Sequence, residues 1–156
     1  MSERKAEPIL VSSCLLGLPT RYDGRCKANS AVRVFLQRHN LIPIPVCPEQ
    51  LAGLPTPRPQ TRFTRGDGRS LLNGDGEVRN ELQQPVSSLF LKGAGQTLAI
   101  ARLCGCRRAI FKERSPSCGS RHIYLEERVV PGMGVAAALL EQHGIELWSE
   151  ENLPEG

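Results

Sequence analysis

Short apolar runs alternate with helix-like segments along this chain. The apolar runs resemble buried strands and cover residues 9–16, 41–46, 108–111 and 145–148. Segments with apolar side chains at helical spacing lie between them, at residues 30–39, 86–104 and 134–142. The first of these helices is expected to begin at Ser30 as its N-cap, and Gly105 is expected to end the second. Alternating strands and helices are typical of a parallel sheet flanked by helices.

The predicted fold class is therefore α/β, a single-domain Rossmann-like parallel sheet with helices on its faces. Residues 48–76 interrupt the alternation with many prolines and glycines, which predicts a long active-site loop. At 156 residues the chain is long enough for one real core. We expect an N-terminal tail at residues 1–8, one domain at residues 9–150 and a C-terminal tail at residues 151–156.

Charge and hydropathy exclude several classes of function. The net charge is +4, and no run of five basic residues marks a nucleic-acid arm or a membrane patch. No apolar stretch approaches the length of a membrane span, and the N-terminus lacks the apolar core of a signal peptide. Six cysteines in a chain of this length are too few for a disulfide scaffold. A cytoplasmic protein with free thiols is the expectation.

Three cysteines stand at or just after the predicted strands, namely Cys14, Cys47 and Cys118. Ligands of open α/β sheets bind at the carboxyl ends of the strands, so these thiols are expected to gather at one edge. Three soft ligands would hold a metal or an iron–sulfur cluster and leave one position open for a substrate. The spacing contains no Cys-x-x-Cys pair, so by itself it favours three small buried core residues.

The other three cysteines are expected to be bystanders. Cys104 and Cys106 fall where a helix leads into a strand, where packing is the ordinary role of a cysteine. Cys26 lies in the loop after the turn at residues 23–24, and a single loop cysteine carries little information.

Polar residues beside the three candidate ligands suggest catalytic and binding roles. Glu49 follows Cys47 in a proline-rigid turn and is a candidate general acid or base, or else an exposed turn residue. Ser115, with Ser117 and Gly119 around Cys118, could hold a developing anion through hydroxyl and amide groups, or could serve ordinary turn chemistry. The remaining candidates for substrate binding are Arg21, Tyr22, Asp23 and Arg58. Arg21 and Asp23 could instead form an ion pair within the loop.

Five segments in this order resemble the TudS-type thiouracil desulfidases, a family formerly known only as a domain of unknown function. They are residues 13–17 (SCLLG), 21–24 (RYDG), 45–49 (PVCPE), 53–59 (GLPTPRP) and 112–120 (KERSPSCGS). The similarity continues to the C-terminal helix and strand and therefore covers nearly the whole chain. The chain departs from the family pattern at Arg62, where relatives usually carry an acidic residue.

The resemblance implies one 4Fe–4S cluster held by Cys14, Cys47 and Cys118, with an open fourth iron that captures the sulfur of a thiocarbonyl. It implies catalytic roles for Glu49 and Ser115. With these residues, the reaction hypothesis is a non-redox hydrolytic desulfuration that releases hydrosulfide. The implied substrate is a small thiobase or thionucleotide. Thiouridine in tRNA is less favoured, because relatives that act on tRNA tend to carry an appended domain. Two other functions stay open: a metal-free sulfur carrier with a persulfide on Cys118, and a structural metal domain that serves as an interaction module.

Overall fold

The computed structural model describes residues 5–154, which form two four-stranded sheets and several helices. In chain order the strands are β1 (Glu7–Ser12), β2 (Leu41–Val46), β3 (Thr61–Arg65), β4 (Glu77–Asn80), β5 (Arg108–Phe111), β6 (His122–Leu125), β7 (Arg128–Pro131) and β8 (Glu146–Ser149). The α-helices are α1 (Ser30–Arg38), α2 (Pro48–Leu51), α3 (Gly68–Leu72), α4 (Ser87–Cys104) and α5 (Val135–Gln142). A 3₁₀ turn, Ser13–Leu16, directly follows β1.

The first sheet is entirely parallel, in the order β2-β1-β5-β8, and is buried on both faces. Successive side chains of β1 point to opposite faces, as they must in a strand. Ile9 and Val11 pack with Val32 and Phe35 of α1 on one face. Leu10 joins the cluster formed with α4 and α5 on the other face. The predicted α/β fold with a parallel sheet flanked by helices is confirmed.

The two prolines of β2 explain why this strand lies at the edge of the first sheet. Pro43 and Pro45 are two residues apart, so their missing N–H groups lie on the same side of the strand. The other side pairs with β1, from Glu7 opposite Leu41 to Ser12 opposite Val46. An outer edge that lacks donors does not readily pair with another chain.

The segment 48–76 is not one long loop, which corrects that part of the prediction. It contains α2, β3 and α3, and only residues 52–60 connect α2 to β3 without regular structure. β3 belongs to a second sheet of order β4-β3-β6-β7, whose pairs are antiparallel except for β3 with β6. The strands of this sheet are short, and Phe63 is the one fully buried residue of β3. Because only one side chain of β3 is buried, its sequence shows no apolar alternation that would predict a strand.

Element boundaries differ slightly from those predicted. β1 begins at Glu7, inside the expected N-terminal tail, and Glu151 of the expected C-terminal tail pairs with Arg114. The side chain of Asn29, not that of Ser30, caps α1 by accepting from the Val32 N–H. Gly105 ends α4 as predicted, with a φ of 72°. Within residues 5–154, no helix combines the length and hydropathy that crossing a bilayer requires.

Candidate active site

A cavity of about 370 Å³ opens at the carboxyl ends of β2, β1 and β5. These three strands are neighbours in the first sheet, and each leads into a segment that carries one of the candidate cysteines. Cys14 lies in the 3₁₀ turn after β1, Cys47 is the N-cap residue of α2 after β2, and Cys118 lies in the loop after β5. All three line this cavity. The strand order thus brings together residues that are far apart in the sequence.

The three thiols are free and largely withdrawn from solvent. Burial raises the pKa of Cys14 to about 11, even though the nearby Lys112 ammonium lowers it. Burial also raises the pKa of Cys47, while hydrogen bonds from backbone N–H groups, first that of Gln50, lower it. Cys118 is only 5% exposed, and burial raises its pKa well above the usual range of a thiol. Without a metal, all three are therefore protonated at neutral pH.

The three sulfurs lie close enough to influence one another electrostatically. Cys47 raises the pKa values of both Cys14 and Cys118, and Cys14 raises that of Cys118. In the part of the chain that the structure describes, no three His, Cys, Asp or Glu side chains are grouped closely enough to hold a single metal ion. In a cluster each thiolate binds a different iron, so its ligands lie further apart than those of one ion. Three thiols around one cavity are a donor set that an iron–sulfur cluster could use.

Glu49 connects the loops that carry Cys47 and Cys118. Its Oε1 accepts a hydrogen bond of 3.1 Å from Nε of Arg58, and its Oε2 accepts one of 3.0 Å from Oγ of Ser117. The Arg58 guanidinium is buried and also donates from Nη2 to the carbonyl of Thr20 at 3.0 Å. The carboxylate is thereby fixed in the cavity wall and is not an exposed turn residue.

Ser115 shapes the backbone in front of Cys118. Its Oγ accepts hydrogen bonds from the N–H groups of Ser117 (3.2 Å) and Cys118 (3.1 Å). Its Oγ also lies 3.1 Å from Oγ of Ser117. Because the Ser117 hydroxyl donates to Glu49, the proton of Ser115 is left for Ser117 or for a molecule in the cavity.

Glu113 holds the other end of the Cys118 loop, a role that the sequence did not predict. It is 2% exposed, and its Oε1 accepts from the N–H groups of Ser120, Arg121 and His122 at 2.9–3.1 Å. Burial alone would raise its pKa, but the N–H donors of Arg121 and His122 outweigh burial and hold the pKa below its ordinary value. The one sequence feature that pointed to Glu113 was its position in the segment 112–120 (KERSPSCGS).

Two of the predicted binding residues lie outside the cavity wall. Gly119 packs its Cα against the His122 carbonyl, where a Cβ would come within 2.5 Å of the oxygen. Its role in the structure is close packing of the Cys118 loop. Asp23 pairs with Arg21, at 3.2 Å from Oδ2 to Nη2, and accepts from the Arg25 N–H. Arg21 and Tyr22 themselves line the cavity, as do Arg58 and Ser117.

The second sheet supplies a wall that the sequence analysis missed. Gln60 lies just before β3, Thr61 is its first residue and Tyr124 belongs to β6, and all three line the cavity. Tyr124 is 38% exposed, and with Tyr22 it places both tyrosines of the chain in this cavity. Lys112, the residue after β5, lines it as well and pairs with Glu150 at 2.9 Å. The short strands of the second sheet gave no signal for this wall.

The remaining cysteines lie elsewhere. Cys26 and Cys104 are exposed, Cys106 is buried in the core cluster with α4 and α5, and none of them lines the cavity.

The fold and the cavity define an α/β protein with three buried thiols, a fixed carboxylate and two serine hydroxyls around one solvent-open space. The family model described as 2-thiouracil desulfurase matches residues 9–152. The chain therefore belongs to the 2-thiouracil desulfurase family, a family of enzymes, as its sequence motifs predicted.

Two similar proteins are consistent with this membership. The solved structure of TudS, a [4Fe-4S]-dependent thiouracil desulfidase, matches with a TM-score of 0.78 and 38% identity, covering 95% of this chain and 93% of that chain. The uncharacterized protein YbbK of Bacillus subtilis (strain 168) is 38% identical over 148 residues, which cover 93% of this chain and 97% of YbbK.

Proposed function

We propose that this protein is an iron–sulfur-dependent desulfidase that removes sulfur from thiouracil-type bases or thionucleotides. The observation that carries the proposal is the arrangement of Cys14, Cys47 and Cys118 around one cavity, with Glu49 in the same wall. The similarity to TudS, a thiouracil desulfidase that depends on a [4Fe-4S] cluster, supports the same cofactor here. The reaction is the exchange of C=S for C=O, in which thiouracil and water give uracil and hydrosulfide.

The donor set fits such a cluster. Thiolates are the usual ligands of iron–sulfur clusters, and three free thiols from separate loops line one space. The cations Arg58 and Lys112 lie beside this set and lower the pKa values of Cys47 and Cys14, respectively. They would offset the negative charge of a thiolate-bound cluster. Three protein ligands leave one iron open, and this iron would supply Lewis-acid activation of the thiocarbonyl sulfur.

Glu49 is placed to move protons in this reaction. It is fixed at both oxygens, by Arg58 and by Ser117, in the wall that also carries Cys47 and Cys118. As the general base it takes a proton from the water that adds to the thiocarbonyl carbon, and as the acid it returns a proton to the departing sulfur.

Ser115 is placed to stabilise the anion formed when water adds. Its oxygen is already held by two backbone N–H groups. Its O–H, which can donate to Ser117, would turn to donate to the anion in the cavity. The ordered carboxylate–hydroxyl chain of Glu49, Ser117 and Ser115 keeps both groups on one side of the substrate.

The second wall suits a small heterocycle. Tyr124 offers an aromatic face on the side supplied by the second sheet, and Arg21 and Tyr22 line the cavity from the loop after β1. Aromatic side chains stack on the flat face of a base, whichever base it is. The volume of about 370 Å³ lies within the usual range of small-molecule sites.

The persulfide carrier is less compatible with the site. A sulfur carrier needs an accessible thiol that ionises readily, because the thiolate is the reactive form. Cys118 is 5% exposed, and burial raises its pKa, so this thiol is neither accessible nor readily ionised.

The test is anaerobic purification, iron and acid-labile sulfide counts per chain, and turnover of 2-thiouracil and 4-thiouracil without added reductant. Reaction in isotope-labelled water should place the labelled oxygen in the uracil product, with one hydrosulfide released per base. Sulfur release that requires a reductant, or product without labelled oxygen, would contradict the hydrolytic route. Metal-free protein that still transfers sulfur would favour the carrier.

A further inference from the structure

Lys112 and Glu150 form an ion pair at the wall of the active-site cavity, and the reaction proposed so far gives neither of them a chemical step. Nζ of Lys112 lies 2.9 Å from Oε2 of Glu150, and the two side chains are only 20% and 9% exposed. Lys112 directly follows β5 and lines the cavity, while Glu150 directly follows β8. The pair therefore connects the turn after β8 to the site.

Both partners of this pair are also held by the backbone. The N–H of Lys112 donates to Oγ of Ser12 over 2.9 Å, which ties Lys112 to the residue two positions before Cys14. Oε1 of Glu150 accepts from the N–H of Glu113 over 2.8 Å. Because one carboxylate oxygen of Glu150 is held in this way, the other is fixed toward the ammonium.

The ammonium of Lys112 has one donor more than its protein partners use. A lysine ammonium carries three N–H donors. Within residues 5–154, its acceptors are Oε2 of Glu150 and the carbonyl of Glu113, the latter at 3.1 Å. The third N–H is left for a molecule in the cavity that Lys112 lines.

The other cations that line the cavity are engaged or exposed, and they are Arg21, Lys27, Arg58 and Arg114. Arg58 spends all three of its nitrogens on protein acceptors. Arg21 and Arg114 each spend two nitrogens on a carboxylate, in a bidentate pair. Lys27 is exposed. Lys112 is therefore the half-buried cation that keeps a donor close to the cysteine segments.

We propose that Lys112 is a further catalytic residue, whose third N–H donates to the departing sulfur, and that Glu150 is the positioning residue that holds it there. This inference rests on the proposed function. When the carbon–sulfur bond breaks, its electron pair goes to the sulfur. Glu49 returns one proton of the attacking water to that sulfur, the other proton goes to solvent, and hydrosulfide leaves with one negative charge. A fixed cation beside the sulfur stabilises this charge as it develops.

The experiment compares the kcat and KM of wild type with those of Lys112→Met, Lys112→Arg, Glu150→Gln and the double variant Lys112→Met/Glu150→Gln, at equal iron content per chain. Lys112→Met should lower kcat by on the order of 100-fold with little change in KM, since the lost donor acts in the transition state. Lys112→Arg keeps the charge and should recover most of the rate. Glu150→Gln should lower kcat less. It should add no loss in the Lys112→Met background, because Glu150 acts through the ammonium.

Glu151→Gln is the matched control, because Glu151 is the next carboxylate in the same turn and pairs with Arg114. It should keep the wild-type kcat. Urea unfolding of each metal-free variant measures stability separately from the rate. A merely structural role of the pair would instead make kcat follow stability and would add the losses of the two single variants.

A second comparison keeps the test decisive if Lys112→Met does not fold. Lys112→Gln and Lys112→Arg both offer N–H donors but differ in charge, so kcat should be at least about tenfold higher in the Arg variant. Equal rates in these two variants, a wild-type kcat in folded Lys112→Met, or additive losses in the double variant would overturn the role of this pair alone. Wild-type protein that releases no sulfur from thiouracil would instead overturn the proposed function, and this inference with it.

Discussion

Arg58 donates from Nε to Oε1 of Glu49 over 3.1 Å, and both side chains are buried beside Cys47. The same guanidinium lies 3.9 Å from the Cys47 sulfur through Nη2. The second carboxylate oxygen bonds to Ser117, the residue before Cys118. One ion pair therefore orients the proposed acid–base group and links two of the proposed ligand segments.

Replacing Glu49 by Gln should abolish most of the sulfur release while the protein keeps its cluster. The amide is similar in shape and can still bond to Ser117, but it cannot carry protons between water and sulfur. General acid–base catalysis contributes roughly 100- to 10,000-fold to a rate, so kcat should fall by about that factor. Turnover of thiouracil and the visible absorption of the cluster are measured on the same sample.

Glu141→Gln is the matched control, since Glu141 lies on α5 in an exposed pair with Arg69. It should retain wild-type turnover. Full activity in Glu49→Gln with an intact cluster would remove Glu49 from the mechanism.

Removing the arginine of the buried pair should destabilise the protein more than replacing the carboxylate. Arg58→Met leaves the Glu49 charge without its cation, and breaking such a pair from one side costs about 3 kcal/mol or more. Urea unfolding of the metal-free protein measures the change in the free energy of unfolding.

The double variant Arg58→Met/Glu49→Gln should lose less stability than the sum of the losses in the two single variants. The difference should be about 1–2 kcal/mol, because the double variant leaves no charge unpaired. Additive losses would mean that the two side chains are not coupled.

Glu113→Gln should destabilise the fold at neutral pH but not in acid. The folded-state pKa of Glu113 lies below its unfolded value, so the carboxylate stabilises the fold above the unfolded pKa. This contribution disappears as the pH falls through the lower, folded-state pKa. Hydrogen bonds to a charged acceptor suggest a loss of about 2 kcal/mol at pH 7.

The measurement is the free energy of unfolding of wild type and Glu113→Gln across the acid range. The difference between the two should be constant above the unfolded pKa and shrink toward zero at lower pH. A difference that grows on acidification would contradict the assigned direction of the shift.

Tyr124 should affect the binding of substrate and not the cluster. Tyr124→Ala removes the aromatic face supplied by β6, and base–aromatic stacking is worth about 1–3 kcal/mol, so KM should rise at least about fivefold. Tyr124→Phe keeps the ring and should stay close to wild type. A KM that is unchanged in Tyr124→Ala, at equal cluster content, would place the base elsewhere in the cavity.

Hydrophobic patterning and strand-end chemistry predict a large part of this structure. The buried runs of β1 and β5 and the periodic helices α4 and α5 carry strong local signals, and they predict a parallel sheet. Once that sheet is inferred, the position of a cysteine after each of three strands predicts where the thiols meet. The chain order alone does not give the spatial order β2-β1-β5, which makes the three strands neighbours.

The second sheet and the support of the Cys118 loop could not be read from the sequence. β3, β6 and β7 each bury few side chains, so neither alternation nor a long apolar run marks them. Tyr124 therefore reaches the cavity from an element without a sequence signal. The sequence gives no sign of the role of Glu113, because only the folded loop brings three N–H groups to its carboxylate.

The most direct test is the iron content per chain of two variant proteins, purified anaerobically and reconstituted in parallel. In the first, the cysteines away from the cavity are replaced (Cys26→Ser, Cys104→Ser, Cys106→Ala); in the second, only Cys118→Ser is introduced. The account predicts that the first keeps the four irons of a [4Fe-4S] cluster, the cofactor on which the similar protein TudS depends, and the second does not. Loss of iron from the first, or an unchanged stable cluster in the second, would contradict it.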